Sequence, residues 1–332
     1  MARVTVFGAG AMGTAIAMHL SRAGNRTVLW ASEFDRRILD DLIERRRHPG
    51  LPEFLPEALS VLGPDALKEA GEDVEIAVMG AHSGGARTLT RIAVEGCEKL
   101  PIILGIAKGL EPDTGTRMSD VYTEEVGHDR VVVMGGPALA PEIAQGLPTA
   151  AAMASLDTDA LEACAGAFRM PSFDVQVTDD VVGLEYCTVA KNVAAIGMGI
   201  VDGIGKTASI DYRNAKAALF TMAVHELTEL VERLGGRRET ALGLPGLGDT
   251  LVTSLGGRNR LYGELIGEGI EPERALEDLN RRGMTVEGVD SARDIERLMK
   301  ELGLDLRLHG AVFRILFQGA PPSGLLDCIA AT

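Results

Sequence analysis

A glycine-rich turn at residues 8–13, GAGAMG, sets narrow limits on the fold of this chain. It follows a short apolar run at residues 4–7 and opens a stretch of helical spacing at residues 11–23. Between a strand and a helix, the first glycine of G-x-G-x-x-G permits a tight turn, the second lets backbone N–H groups approach a pyrophosphate, and the third brings the helix close to the strand. The helix N-terminus adds the positive end of its dipole. The spacing predicts a dinucleotide site, with a ligand-free glycine turn as the alternative; its candidate residues are Gly8, Gly10, Ala11, Met12 and Gly13.

Short apolar runs bounded by Gly or Pro recur along the first half of the chain. Besides residues 4–7, they lie at residues 27–30, 75–79, 102–106, 131–134, 149–153 and 173–177. Such runs are typical of strands buried on both faces of a parallel sheet. Because they alternate with helical stretches, they predict an α/β, Rossmann-like doubly wound sheet over residues 1–180. Residues 34–47 are predicted to be helical.

The second half of the chain has helical spacing throughout, at residues 183–204, 214–234, 272–281 and 291–302. Pro272 stands where a first-turn proline is tolerated, Asp290 is the predicted N-cap of the last of these helices, and Gly303 is its predicted end. We therefore expect an all-α domain over residues 181–332.

Composition excludes several classes of protein. The 332 residues contain 33 Lys and Arg against 48 Asp and Glu, a formal charge of −15, which excludes a basic nucleic-acid binder. The four scattered cysteines form no C-x-x-C pair, and His225-Glu226 lacks the second histidine of H-E-x-x-H, so neither a disulfide nor a metal site is expected. The chain shows no signal peptide and no uninterrupted apolar run of about 18–20 residues. We expect a cytoplasmic protein without a membrane or nucleic-acid partner.

The tip of the second predicted strand bears on the choice between NAD and NADP. An acidic residue there hydrogen-bonds the ribose 2′-hydroxyl, whereas arginine or small polar residues accept a 2′-phosphate. The segment runs from Trp30 through Ser32 and Glu33 to Arg36. Ser32 with Arg36 or Arg37 favours NADP slightly, but Glu33 is close enough to reverse this, and Arg36 and Arg37 are alternatively part of a solvated helix face.

Two further candidates follow strands of the predicted sheet. Lys108 comes directly after the run at residues 102–106, at the edge where open α/β sheets bind ligands, and GGPALA at residues 135–140 follows the next run. Lys108 is a candidate for substrate contact, with an exposed surface lysine as the alternative. The GGPALA segment predicts a tight backbone turn near the cofactor; taken alone it is only a loop.

In the helical half, Lys191 and Asn192 interrupt a small and apolar stretch. Burial would lower the pKa of a lysine there toward the range useful for proton transfer, unless the side chain reaches solvent. Lys191 is therefore the best candidate for an acid and base.

A second glycine-rich segment, GLPGLGD at residues 243–249, ends in Asp249 and is followed by Thr253 and then by Arg258 and Asn259. A carboxylate can orient a nearby ammonium, and arginine with asparagine at a helix start suits a phosphate dianion. The alternative is that Arg258 and Arg260 are surface charges.

Taken together, the motifs resemble the NAD(P)-dependent glycerol-3-phosphate dehydrogenases of the bacterial and archaeal type along nearly the whole chain. They occur in the order GAGAMG, HPGLPEFLP, AKG, GGPALA, AKNVAAIGMGI, GLPGLGD, GGRN and VEGV. The resemblance implies a Rossmann domain joined to a helical domain like that of 6-phosphogluconate dehydrogenases, and a homodimer. It further implies NAD(P)H-dependent reduction of dihydroxyacetone phosphate to sn-glycerol 3-phosphate, for glycerophospholipid synthesis.

The resemblance also assigns roles to residues. Lys191 would donate and accept the proton beside Asp249, while Lys108 and the Gly136 backbone would contact the substrate together with Thr253. Arg258 and Asn259 would hold the phosphate. Ala140, Arg258 and Glu287 would lie near the cofactor. Together with the candidates named above, the cofactor residues beyond the glycine turn are Trp30, Ser32, Arg36, Lys108, Ala140, Arg258 and Glu287.

The sequence departs from the family pattern at several positions. Met12 replaces a usual Trp, Ala138 replaces a usual Ser, and residues 79–83 replace a V-P-S segment. Residues 206–213 resemble an insertion, and the loop between residues 249 and 258 looks shortened. These departures keep open a dehydrogenase of a related phosphorylated ketose or β-hydroxyacid, or a dinucleotide sensor without turnover.

Overall fold

The computed structural model describes residues 1–330, which divide into two compact units between residues 181 and 182. The first unit is built on an eight-stranded sheet of order β3-β2-β1-β4-β5-β6-β7-β8. Its strands are β1 (Arg3–Phe7), β2 (Arg26–Trp30), β3 (Ser60–Leu62), β4 (Ile76–Met79), β5 (Ile102–Gly105), β6 (Val131–Gly135), β7 (Thr149–Ala154) and β8 (Phe173–Thr178).

The predicted doubly wound sheet is confirmed, with two corrections. All neighbouring strands pair in parallel except β6 and β7, which are antiparallel, so the predicted parallel sheet has one exception. An apolar run records burial but not chain direction, which is why the sequence did not reveal this. Strand β3 was missed because three half-exposed residues carry too little periodicity.

Helices connect these strands and cover both faces of the sheet. They are α1 (Ala11–Arg22), α2 (Leu39–Ile43), α3 (Leu67–Ala70), α4 (Ser83–Gly96), α5 (Met118–Val126), α6 (Ala140–Gln145) and α7 (Thr158–Phe168), with 3₁₀ turns at Glu33–Ile38 and Pro64–Ala66. Val4, Val6 and Val78 belong to one apolar core, whereas Phe7 and Met79 belong to a second. Side chains of a strand alternate between its faces, so the two cores lie on opposite sides of the sheet.

The helix predicted over residues 34–47 was wrong in kind and extent. The segment starts as the 3₁₀ turn, because Ser32 and Asp35 hydrogen-bond reciprocally across its first residues. The α-helical part, α2, is only five residues long, and Arg46 has a positive φ of 54°, which a helix cannot continue through.

The second unit is all-helical in the part of the chain that the structure describes, as predicted. Its helices are α8 (Val181–Ala208), α9 (Arg213–Arg233), α10 (Arg238–Leu242), α11 (Asp249–Leu255), α12 (Arg258–Gly267), α13 (Pro272–Arg281), α14 (Gly288–Leu302), α15 (Arg307–Phe317) and α16 (Gly324–Ala330), with a π-helical turn at Leu244–Gly248. Helix α8 is long and apolar enough to cross a membrane, but 89% of its most apolar 18-residue window is buried in the protein, which is typical of a core helix.

The predicted helix ends were right at two places and wrong at one. Pro272 begins α13, and Gly303 ends α14 with a φ of 63°. Asp290 is not the N-cap of α14, because the helix starts at Gly288 and Asp290 lies in its first turn. The side chain of Asn259 accepts a hydrogen bond from the Gly288 N–H. A backbone N–H at the start of α14 is therefore satisfied two residues before Asp290.

Helices α8 and α12 cross at unusually close range. Gly199 and Gly203 of α8 face Gly263 and Gly267 of α12, and a Cβ built on any of these four glycines would lie 2.0–2.1 Å from a carbonyl oxygen of the other helix. Contacts this short leave no room for any side chain. The glycines therefore fix the distance between the helix that carries Lys191 and the helix that begins at Arg258.

We expect Gly263→Ala to lower the free energy of unfolding by about 1–3 kcal/mol, because the new methyl group would collide with the Ile196 carbonyl oxygen. Gly166→Ala in α7 is the matched control: no atom lies within 4 Å of its Cβ position, so better helix propensity should stabilise by up to about 1 kcal/mol. Urea unfolding followed by circular dichroism measures both. Equal midpoints for the two variants would contradict the packing argument.

Candidate active site

The glycine turn of the first unit has the geometry that its spacing predicts. Gly8 has a φ of 97°, and a Cβ on Gly13 would lie 2.4 Å from the Gly8 carbonyl oxygen, so the helix and the turn are in direct contact. Gly10 is the exposed N-cap of the twelve-residue α1, and no side chain caps that helix. The N–H groups of the first turn of α1 therefore suit an anionic ligand such as a pyrophosphate.

The segment at residues 79–83, which differs from the family's V-P-S pattern, packs against this turn. The Gly80 N–H donates to the Phe7 carbonyl at 2.8 Å, and a Cβ on Gly80 would lie 2.7 Å from the Gly8 carbonyl oxygen. A residue with a side chain at position 80 would displace the turn. This departure from the family pattern is therefore compatible with the glycine turn and fits it closely.

The tip of β2 carries three of the candidate cofactor residues in different settings. Trp30 is buried against Phe7, with 5.8 Å between ring centroids. Ser32 is buried and caps the 3₁₀ turn. Arg36 is exposed and pairs with Glu33, and hydrogen bonding to Arg36 lowers the pKa of that carboxyl below its usual value.

Lys108 and Gly136 come together at the ends of β5 and β6. The Lys108 Nζ donates to the Gly136 carbonyl oxygen at 3.1 Å, and Gly136 has a φ of 110°. Lys108, Gly136, Met12 and Ala138 line one small pocket, so two of the departures from the family pattern meet beside two candidate substrate residues. Ala140, another candidate, begins α6.

In the second unit, Lys191 lies in a buried cluster with an acid and a hydroxyl. Its Nζ donates to Asp249 Oδ1 at 2.8 Å and to Thr253 Oγ1 at 3.0 Å, and Thr253 Oγ1 lies 3.3 Å from Asp249 Oδ1. The side chains of Lys191 and Asp249 are 6% and 2% exposed. The alternative in which Lys191 reaches solvent is therefore wrong. Because each ion is withdrawn from water, the opposite charge at hydrogen-bond distance is what makes its burial tolerable.

The backbone before Asp249 explains how its carboxylate arrives at this position. The predicted glycine-rich turn is the π-helical turn Leu244–Gly248, and a Cβ on Gly246 would lie 1.9 Å from the Ala241 carbonyl oxygen. Asp249 then begins α11, where a carboxylate interacts favourably with the helix dipole, and Thr253 follows one turn later on the same face. Asp249 and Thr253 thus reach Lys191 together.

A chain of amides links three helices beside Lys191. The Asn259 Nδ2 donates to Asn192 Oδ1 at 2.9 Å, and the Gly288 N–H donates to Asn259 Oδ1 at 3.0 Å. The Asn259 side chain therefore joins α8, α12 and α14, and its carboxamide oxygen is occupied internally. Sequence reasoning noted Asn192 but gave it no role; its place beside Lys191 in an apolar helix was the available signal.

Arg258 and Glu287 lie at the starts of α12 and α14. Arg258 Nη2 is 3.7 Å from the Glu287 carboxylate, and the Arg258 side chain is 51% exposed. Its helix has Gly257, with a φ of 96°, as N-cap and no side-chain cap. Arg260, by contrast, is bound to Asp202 at 2.7 Å and holds α12 to α8.

Sequence reasoning missed two hydroxyl groups of α11. Thr250 Oγ1 and Ser254 Oγ are buried and have no hydrogen-bond partner within residues 1–330. They follow Asp249 and Thr253 in the chain. The one available signal in the sequence was that each of these hydroxyl residues directly follows a candidate site residue.

Two family models together cover nearly the whole chain. The N-terminus of NAD-dependent glycerol-3-phosphate dehydrogenase matches residues 3–161, and the C-terminus of the same family matches residues 180–327.

Relatives and solved structures agree with these matches. The NADP(+)-dependent glycerol-3-phosphate dehydrogenase of Archaeoglobus fulgidus is 34% identical over 95% of each chain. An NAD(P)+ glycerol-3-phosphate dehydrogenase of Thermoanaerobacter sp. is 37% identical over 96% of this chain and 94% of its own. The crystal structure of the Coxiella burnetii glycerol-3-phosphate dehydrogenase aligns with a TM-score of 0.86 at 29% identity, covering 100% of this chain and 99% of that one. The resemblance read from the motifs is confirmed, and this chain belongs to the NAD-dependent glycerol-3-phosphate dehydrogenase family of oxidoreductases.

Proposed function

We propose that this protein catalyses the reversible NAD(P)H-dependent reduction of dihydroxyacetone phosphate to sn-glycerol 3-phosphate, the precursor of glycerophospholipids. The observation that carries the proposal is the buried cluster of Lys191, Asp249 and Thr253. It occurs in a chain whose first unit has a glycine turn suited to a dinucleotide. Family membership supports the same reaction.

Lys191 is the proposed proton donor. When bound, the nicotinamide cofactor supplies a hydride to the ketone carbon. The Lys191 Nζ gives a proton to the carbonyl oxygen as negative charge develops there, so the ketone becomes a secondary alcohol. In the reverse direction neutral Lys191 takes the hydroxyl proton back. General acid–base assistance of this kind typically contributes about 10²–10⁴-fold in rate.

Asp249 and Thr253 prepare Lys191 for this task. The Asp249 carboxylate accepts from Nζ at 2.8 Å and favours the ammonium form, which is the form that can donate. The Thr253 hydroxyl, 3.0 Å from Nζ, fixes the direction of a second N–H. Two fixed partners restrict the lysine to few rotamers, which reduces the entropy lost when the substrate binds.

Arg258 and the start of α12 are the proposed phosphate site. The guanidinium is half exposed, so it can reach a ligand, and the uncapped first turn of this ten-residue helix offers backbone N–H groups. The Asn259 carboxamide oxygen is already bound by the Gly288 N–H, so Asn259 would serve the phosphate through its backbone and the remaining side-chain N–H. The net charge of −15 repels an anionic substrate over the surface as a whole, so a phosphate needs a local cation. The Arg258 guanidinium supplies that positive charge.

A related phosphorylated ketose is the second candidate substrate. It is favoured by Met12 and Ala138, which line the same pocket as Lys108 where the family pattern has Trp and Ser. A panel of phosphorylated ketoses and β-hydroxyacids, assayed at 340 nm, distinguishes the substrates. Absence of turnover with every substrate would instead support a dinucleotide sensor.

We also propose a cytoplasmic homodimer that engages neither membrane nor nucleic acid. Leu251 and Leu255, one turn apart on α11, are 45% and 73% exposed, which is the kind of apolar surface that a second subunit covers. Light scattering after gel filtration tests the assembly. A particle of about twice the chain mass is expected, and a single-chain mass would contradict the proposal.

Lys191→Met should reduce kcat for dihydroxyacetone phosphate by about 10²–10⁴-fold, because a side chain of similar length without a proton replaces the acid. Binding of the cofactor should persist, as a titration of nicotinamide fluorescence would show. Lys206→Met, in the exposed last turn of the same helix, is the matched control and should keep near-normal kcat. Normal turnover by the Lys191 variant would refute its role.

Arg258→Ala should raise KM for dihydroxyacetone phosphate about 10- to 100-fold with a smaller change in kcat, because one charge-assisted contact to the phosphate is lost. The weak reduction of unphosphorylated dihydroxyacetone should change little. Arg281→Ala removes an exposed arginine of α13 and serves as the control. An equal loss toward both ketones would place Arg258 outside the phosphate site.

A further inference from the structure

We propose that Asp35 makes this protein select NAD(H) over NADP(H), by presenting a carboxylate to the adenosine ribose beside the glycine turn. The inference rests on the proposed dinucleotide-dependent function. It assigns the discriminating role to a residue three positions beyond Ser32, the position at which the sequence first indicated the choice.

Asp35 joins the tip of β2 to the glycine turn. Its Oδ2 accepts from the Ser32 N–H at 2.8 Å, from the Ser32 hydroxyl at 2.7 Å and from the Ala9 N–H at 3.2 Å. Ala9 stands between the first two glycines of the motif. The carboxylate is thus fixed where the doubly wound fold reads the ribose hydroxyls, at the end of its second strand.

The second oxygen of this carboxylate remains available. All three hydrogen bonds go to Oδ2, and no donor from residues 1–330 contacts Oδ1. Asp35 is partly buried, so its orientation is fixed while a ligand can still approach. An ionised carboxylate accepts hydrogen bonds and donates none, which suits a ribose 2′-hydroxyl.

The same carboxylate opposes a 2′-phosphate. A phosphate monoester carries a charge of about −1.5 to −2 at neutral pH, so it would be repelled by Asp35 at close range. Of the two arginines that favoured NADP in the sequence, Arg36 pairs with Glu33, and Arg37 is exposed. Residues 32–41 contain two arginines and four carboxylates, a local charge of 2 − 4 = −2.

The Ser32 hydroxyl is also committed within the protein. It donates to Asp35 Oδ2 and accepts from the Phe34 N–H at 3.2 Å. A small polar residue at this position was the other reason to favour NADP. In the folded chain Ser32 instead orients the acidic side chain that would exclude the extra phosphate.

The test is direct binding of the two reduced cofactors to the whole protein without substrate. Trp30, the single tryptophan, lies at the tip of β2, so its fluorescence and that of the nicotinamide both report binding. Wild-type protein should bind NADH at least about tenfold more tightly than NADPH. Asp35→Asn keeps the shape and one acceptor oxygen but removes the charge, and should shift the ratio of dissociation constants at least about tenfold toward NADPH.

Asp174→Asn is the matched control, because it removes the same charge from an exposed position on β8, at the other edge of the sheet. It should keep the wild-type ratio. Asp35→Ser provides a second variant if Asp35→Asn folds poorly, as judged by circular dichroism. Tighter NADPH binding by the wild type, or an unchanged ratio in a folded Asp35 variant, overturns this inference while leaving the reaction intact. If the wild type binds neither NADH nor NADPH, both this inference and the proposed function are overturned.

Discussion

The ion pair between Lys191 and Asp249 is the interaction on which the proposed chemistry depends. Both side chains are almost fully buried, and removing one partner of such a buried pair typically costs about 3–5 kcal/mol. A pair of apolar residues could fill the same space with similar stability, so the pair is poorly explained by stability alone. It is well explained by a reaction that needs an oriented proton beside a ketone.

Close packing of helices α8, α12 and α14 in the second unit positions the polar side chains near this pair. Four glycines bring α8 and α12 into contact, and the Asn192–Asn259 hydrogen bond then joins the helix of Lys191 to the helix that starts at Arg258. The Gly288 N–H extends the link to α14, where Glu287 approaches Arg258. Close helix packing therefore sets the spacing between the acid and the proposed phosphate site, because the packed backbones leave little freedom to adjust it.

Much of the fold and of the candidate site could be predicted from the sequence, because these features depend on local sequence patterns. The glycine turn, the buried strands and the helix starting at Arg258 each follow from spacing over a few residues. Its isolation in an apolar stretch made Lys191 the candidate acid and base. The antiparallel β7 and the true start of α14 could not be predicted, since strand direction and the Asn259–Gly288 hydrogen bond depend on residues distant in sequence. The proposed role of Asp35 was missed for a similar reason, because its contact with Ala9 forms only when β1 and β2 pair.

The most direct test of the account is a crystal structure of the protein with the oxidised cofactor and dihydroxyacetone phosphate, a combination that cannot react. In that structure the Lys191 Nζ should lie within about 2.6–3.2 Å of the ketone oxygen, with Asp249 still bound to Nζ. A ketone oxygen that contacts a different proton donor, with Lys191 bound only to Asp249 and Thr253, would contradict it.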